Sequence, residues 1–243
     1  MNKIDVLNRC TIDGYVVKLP DIILDKPLYN EIAKDLKMIG GKWVGRKTQG
    51  FVFNDDPTEL LESLKGEGGK ELKKKHQFFG TPPELADRLV ELAQLEPTDK
   101  ILEPSAGQGA IVEAIQRVNP DASITCVENM KMNSIVLARK KITHFFQDFL
   151  TSKCSNPFDK VIANPPFSNN QDIDHIYKMI EVCKSGGIVV SIASNHWRNS
   201  KYKKETDFRN YLNSKGVVIE EIPEGAFKES GTMVAACIVI IYV

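Results

Sequence analysis

The sequence predicts an α/β protein: a mostly parallel sheet covered by helices on both faces, with an antiparallel last strand and a small α+β module ahead of it. Three observations carry this. From His76 onward, short β-rich apolar runs alternate with helical stretches, the pattern of a parallel sheet. The last two strand-like runs, Val217–Ile222 and Met233–Val243, are joined only by Pro223–Gly231, so they pair as an antiparallel hairpin. The residues before His76 follow a different pattern and are set apart by a Gly- and Lys-rich stretch.

In chain order, Tyr15–Val17 with Leu19 reads as a strand. Leu28, Ile32, Leu36 and Ile39 recur at helical spacing, and Gly40-Gly41 stops that helix. Lys42–Val44 and Gly50–Phe53 read as strands around a turn at Gly45-Arg46-Lys47. Asp55-Asp56-Pro57-Thr58 opens a helix over Glu59–Lys65. Lys65–Lys75 reads as a linker, either a solvated surface segment or a contact to nucleic acid. The expected domains are thus residues 1–75, a module and basic linker with a candidate role in substrate recognition, and residues 76–243, a catalytic domain. In the second, strands are expected from Ile101-Leu102, at Ile124–Val127, before Phe146, and at Phe158–Ala163 and Ile188–Ala193. Helices are expected at Ile111–Val118, Asn133–Lys140, Ile173–Cys183 and Phe208–Leu212. With the closing hairpin this makes a seven-stranded sheet.

The 243 residues suffice for one large domain plus an accessory one. Lys+Arg and Asp+Glu are 32 each, which argues against coating nucleic acid by bulk charge and leaves room for a local basic face. The five cysteines, Cys10, Cys126, Cys154, Cys183 and Cys237, form no Cys-x-x-Cys pair and do not cluster with histidine. Neither a metal site nor a disulfide framework is expected, and free thiols suit a reducing cytoplasmic setting. MNKIDVLNRC does not read as a secretory leader, and Val234–Val243 is too short to span a membrane.

The chemistry starts at Glu103-Pro104-Ser105-Ala106-Gly107-Gln108-Gly109, between a strand and a helix. Glycines there let the backbone approach a ligand, and the helix N-terminus favours a carboxylate. Glu128, with Asn129 after it, ends the next strand and can accept from two ribose hydroxyls. Asp148 follows the third strand and can accept from an adenine amino group, with Phe149 packing on that ring. Upstream, Phe79-Gly80-Thr81-Pro82 precedes a helix, where Thr81 can reach the ligand's carboxylate. A helix cap or surface charge would account for either acid alone; both, at successive strand ends after a Gly-rich turn, point to a nucleoside cofactor.

The most specific motif is Asn164-Pro165-Pro166-Phe167, directly after the strand Val161–Ala163. Two prolines stiffen the backbone and remove two amide donors, and the residue before a proline is held extended. The loop therefore offers acceptors, the Asn164 side-chain oxygen and the Pro165 carbonyl, with Phe167 as an apolar face. An adenine amino group is a poor nucleophile because its lone pair is delocalised into the ring. Two acceptors on its two N–H bonds favour a pyramidal nitrogen aimed at an electrophilic methyl, so transfer rests on positioning and electrostatics. A base in a duplex is first flipped out, and an aromatic such as Phe167 can stack on it.

From Phe79 to the C-terminus, about two thirds of the chain, the sequence resembles the N6-adenine DNA methyltransferases. It has their Thr-Pro segment, Glu-Pro-Ser-Ala-Gly-x-Gly loop, acidic strand end, Asp-Phe and Asn-Pro-Pro-Phe, in the gamma-type order, as in solitary enzymes of phages and mobile elements and in restriction-modification systems. The resemblance implies a class I, Rossmann-like methyltransferase fold and S-adenosylmethionine as cofactor. It implies that Asn164, Pro165, Pro166 and Phe167 hold the target base and that Phe79, Thr81, Pro82, Glu103, Pro104, Ser105, Ala106, Gly107, Gly109, Glu128, Asn129, Asp148, Phe149 and Asn164 surround the cofactor. Two departures matter. The fourth catalytic-motif residue is Phe where Tyr is frequent, and no large recognition domain is expected after the last strand. Asn-Pro-Pro-Phe is also similar to the motif of RNA adenine or guanine amino-methyltransferases, and Asn-Pro-Pro-Tyr serves in protein glutamine methyltransferases.

Substrate recognition then falls to two regions. Trp43, Arg46 and Lys47 in the N-terminal hairpin mix cations with an aromatic, either as contacts to nucleic acid or as a small core with charged decoration. Ser194–Lys204 leaves the C-terminal end of a strand carrying His196, Trp197, Arg198 and Lys201, and Phe227 in the last loop is a wedge or an anchor. The expected function is site-specific methylation of adenine N6 in DNA. The rivals are RNA amino-methylation, protein glutamine methylation and a binding module with a vestigial pocket.

Overall fold

A computed structural model describes residues 1–67, 80–154, 157–227 and 234–243. The chain divides into two units, Met1–His76 and Gln77–Val243.

In the first unit, α1 (Lys3–Asn8) is opened by a reciprocal cap between Asn2 and Asp5. Strands β1 (Thr11–Asp13), β2 (Val16–Lys18), β3 (Lys42–Val44) and β4 (Gly50–Val52) form an antiparallel sheet ordered β1-β2-β4-β3. Helix α2 (Lys26–Met38) is capped by Asp25, whose carboxylate accepts from the Leu28 N–H at 2.8 Å, and α3 (Thr58–Glu67) closes the unit. Val17 and Phe51, directly opposite on β2 and β4, are fully buried, as are Leu7, Ile32, Leu36, Leu61 and Leu64. Lys3 is also buried, and its ammonium is paired with Asp35 at 2.7 Å and Glu31 at 3.1 Å. At Gly50 any Cβ would lie 2.6 Å from Val16 Cγ1, so glycine is what lets β4 close on β2. The expected helix over 28–39 and both hairpin strands form; α1 and β1 were not anticipated.

The second unit runs α4 (Pro83–Ala93), β5 (Lys100–Glu103), α5 (Ala110–Val118), β6 (Ser123–Glu128), α6 (Lys131–Arg139), β7 (Phe145–Phe146), β8 (Phe158–Ala163), a 3-10 turn (Ser168–Asn170), α7 (Gln171–Val182), β9 (Cys183–Ser194), α8 (His196–Asn199), α9 (Lys203–Ser214), β10 (Val218–Glu221) and β11 (Ala236–Tyr242). The seven strands are ordered β10-β11-β9-β8-β5-β6-β7. Pairs among β5 to β9 are parallel, and β11 runs antiparallel to both β10 and β9. Helices cover both faces. Leu89, Ile111 and Ile115 pack with Val190 and Ile238 on one side, and Ile176, Met179 and Phe208 with Val189 and Val239 on the other. Strand β11 alternates between these clusters, and burial on both faces is why it reads as an unbroken apolar run. The order in which strands are added reverses between the parallel neighbours β5 and β8, and ligands of open α/β sheets bind beyond the strand ends at such a switch point.

Strand β9 starts five residues earlier than its apolar run, and α9 starts at Lys203 rather than Phe208. Of the last expected strand, Met233 lies outside the described residues.

Candidate active site

The ends of β5, β6 and β8 bring the candidate residues to one edge of the sheet. Glu103 ends β5 and is buried, with the Ser105 N–H 3.4 Å from its Oε1. The loop then passes Gly107 (φ 55°) and Gly109 (φ 88°), conformations that suit glycine. A Cβ on Gly109 would also fall 2.7 Å from Ile142 Cδ1. Gly109 is the N-cap of α5, and no side chain caps that helix, so the first-turn N–H groups are left for a ligand.

Glu128 at the end of β6 ties this loop down. One carboxylate oxygen accepts from the Gly107 N–H at 2.7 Å and the other from the Met130 N–H at 2.6 Å. Burial pushes both acids upward, Glu103 well above the usual carboxylate range, with Glu128 held lower by its N–H partners. Asn129 and Asp148 are exposed beside it, and Asp148 accepts from the Leu150 N–H at 2.9 Å.

After β8, Asn164 is half-buried, Pro165 buried and Pro166 half-buried. The Asn164 amide nitrogen donates to the Thr81 hydroxyl at 3.1 Å, which turns the amide's carbonyl oxygen the other way. Thr81 therefore meets Asn164, where the sequence suggested a cofactor carboxylate. Pro82 caps α4 behind it, and Phe79 lies outside the described residues.

Several aromatic assignments are corrected. Phe149 is 2 % exposed, packed near His175 and under Lys178, so it presents no face to an adenine ring. Phe167 is buried in the same cluster as Phe227, and both anchor their loops in the core instead of offering stacking faces. Trp197 is 4 % exposed and packs edge-on to Phe208. Arg198 is held 2.6 Å from Glu221 and stacked on the Trp197 ring, so neither residue of that pair is presented to a substrate. His196 and Lys201 are exposed.

The sequence reading missed the supports beneath the Asn164-Pro165-Pro166 loop. Asp172 is fully buried and accepts from both the Ser194 N–H and the Ser194 hydroxyl at 2.8 Å, pinning the start of α7 to the end of β9. Asn169 and Asn170 both adopt left-handed backbone, the turn that carries the chain from the Pro-Pro loop into α7. Asn170 donates to buried Glu205 at 2.6 Å, and Lys204 donates to the Asn170 carbonyl at 2.8 Å and to Asp174 at 2.7 Å. His175, one turn beyond Asp172, lies 3.4 Å from the Ser105 hydroxyl. Burial lowers its pKa to about 4. Asp172 and His175 fall on the buried stripe of α7, and a polar residue on an apolar stripe was the available signal.

No cluster of three or more metal-ligating side chains occurs among the described residues, and no described helix is long and apolar enough to cross a membrane. The uncapped helix start, the two glycines in left-handed conformation and the acid beneath them fit a nucleoside bearing a carboxylate, as S-adenosylmethionine does.

Comparison with known proteins supplies the family. The model of the methyltransferase small domain matches residues 85–212. The type II methyltransferase M.CvrRI of Paramecium bursaria Chlorella virus XZ-6E is 34 % identical over 116 residues, 45 % of this chain and 30 % of that protein. Ribosomal RNA small subunit methyltransferase C of Shewanella loihica is 29 % identical over 112 residues, 40 % of this chain and 32 % of that protein. The matches thus span about a third of each relative. Among solved structures, the type I restriction-modification methyltransferase subunit from Streptococcus thermophilus superposes with a TM-score of 0.58 at 14 % identity, over 75 % of this chain and 49 % of that one, a likeness of fold. Fold and family together make S-adenosylmethionine the methyl donor. With more than half of its length matched by the family model and a seven-stranded sheet of the class I type, the chain belongs to the methyltransferase small domain family of S-adenosylmethionine-dependent methyltransferases.

Proposed function

We propose that the chain methylates the exocyclic N6 amino group of adenine in DNA, with residues 76–243 as the catalytic domain and residues 1–75 as an accessory module. The observation that carries this reading is the Asn164-Pro165-Pro166 loop at the switch point, its amide oriented by Thr81, beside a nucleoside-binding turn.

S-adenosylmethionine supplies an electrophilic methyl on a sulfonium. The uncapped N-terminus of α5, with Pro104, Ser105, Ala106, Gly107 and Gly109 before it, receives the carboxylate end. Glu128, held in place by the Gly107, Met130 and Asn129 N–H groups and the Asn133 amide, would exchange part of this set for the ribose hydroxyls, with Asn129 beside it. Asp148 takes the adenine amino group. Asn164 Oδ1 and the Pro165 carbonyl accept the two N–H groups of the target amine and aim its lone pair at the methyl. When bound, the cofactor would give up its methyl with cleavage of the S–C bond as the C–N bond forms, and the methylated amine would pass one proton to solvent water. Thr81 is a positioning residue in this scheme and Phe167 a loop anchor. His196 and Lys201 are exposed for contact with the substrate backbone.

The similarity to a ribosomal RNA methyltransferase favours RNA as the second reading. One assay separates them: labelled cofactor with unmethylated bacterial DNA and with total RNA, followed by digestion to nucleosides and mass spectrometry. N6-methyldeoxyadenosine supports the proposal. Label confined to RNA overturns it in favour of the second reading.

A further inference from the structure

The β3–β4 hairpin of the N-terminal unit has no part in the catalytic chemistry, yet its surface is unusual. Every residue from Lys42 to Lys47 is exposed. Trp43 sits opposite Phe51 and touches its ring edge-on at 5.1 Å, but Phe51 is fully buried while Trp43 stays 43 % exposed. The reason is topological: β3 is an edge strand, so no strand of the sheet flanks it on its outer side among the described residues. Lys42 and Val44 occupy the opposite face of the same strand and are exposed as well.

Charge completes the picture. Residues 41–54 contain three cations, Lys42, Arg46 and Lys47, and no carboxylate. None of the three makes an ion pair among the described residues, whereas Lys3, Lys18 and Lys65 of the same unit each do. The Arg46 backbone is left-handed, which makes the turn tight and keeps these cations on one short projection. An exposed indole on one face of β3, Lys42 on the other and Arg46 and Lys47 in the turn, none of these cations ion-paired among the described residues, is complementary to a phosphate backbone: the cations neutralise phosphates while the aromatic face packs on a sugar or base.

Resting on the proposed DNA substrate, we infer that this hairpin is a DNA-backbone contact. It adds affinity without reading sequence. Because it is tethered to the catalytic unit within one chain, it acts as a second point of attachment that raises the local concentration of substrate.

The test uses the full chain and a fluorescein-labelled adenine-containing DNA duplex. Anisotropy gives the affinity of the parent and of the triple variant Lys42→Gln, Arg46→Gln, Lys47→Gln across a salt series. The expected result is at least a tenfold weakening, order of magnitude, at about 50 mM salt and a salt slope shallower by about 2–3. Equal affinity and equal slope overturn the inference. A second measurement needs no variant. The chain has two tryptophans, of which Trp197 is buried, so acrylamide reaches Trp43 selectively. Added duplex should shield that residue, and undiminished quenching at saturating duplex counts against the hairpin. Methyl transfer is read separately on the parent. DNA that is bound through the hairpin but never methylated leaves this inference standing and sinks the proposed reaction. Methylated DNA with an unaffected triple variant does the reverse.

Discussion

Replacing Thr81 by valine removes one hydroxyl and keeps the shape of the side chain. In the structure that hydroxyl accepts the Asn164 amide N–H at 3.1 Å, at a half-buried site. Without it the amide loses the partner that fixes which of its ends faces the target base, at a cost of about 1–3 kcal/mol. If that cost is felt in the transition state, turnover falls by roughly 5- to 150-fold. Thr81→Ser keeps the acceptor and should restore most of the rate. The assay is steady-state methyl transfer to DNA with turnover and cofactor KM resolved separately, alongside calorimetric cofactor affinity. A positioning role predicts a drop in turnover with cofactor affinity nearly unchanged. Valine acting at the parent rate, or a loss confined to cofactor affinity, refutes the Thr81–Asn164 argument and returns Thr81 to the cofactor's carboxylate.

Three further outcomes follow from the same geometry. Gly109→Ala forces a side chain into left-handed backbone and against Ile142, so unfolding free energy should fall by about 1–2 kcal/mol in denaturant titration, with weaker cofactor binding. His175 has its pKa lowered by burial from 6.5 to about 4, so the unfolded chain binds the extra proton first. Stability from this group is complete above pH 6.5 and is lost as pH falls towards 4, by about 3 kcal/mol in all; His175→Gln should flatten that part of the acid limb in melting curves taken from pH 4 to 7. Asp172→Ala strips two donors on Ser194 of their acceptor and should cost about 2–3 kcal/mol of stability, read by denaturant titration. Asp172→Asn, which keeps an acceptor, should cost less.

The sheet was largely legible because its strands are buried on both faces and its hairpin lacks a helix, features that local apolar pattern records directly. The elements that escaped have no such pattern. The three residues of β1 are all exposed, so no apolar alternation marks them. The Asn164-Pro165-Pro166 loop was legible because two prolines fix its backbone whatever surrounds it. The aromatics were not: Phe149, Phe167 and Phe227 lie in loops and Trp197 in the short helix α8, and sequence does not say whether such a ring faces a cleft or the core. All four face the core. Asp172 and Glu205 escaped because their partners are 22 and 35 residues away, so local spacing carries no trace of them.

The second of the two left-handed asparagines after the Pro-Pro loop, Asn170, is secured by Lys204 and Glu205 of α9, a helix on the surface of the sheet. A surface helix frays at lower temperature than a sheet packed on both sides. The chemistry of this enzyme is therefore expected to fail while its scaffold is still intact, with heat inactivation preceding melting and reversing on cooling. Hardening α9, for instance by improving its uncapped start at Tyr202, should raise the working temperature of the enzyme with little change in its melting point.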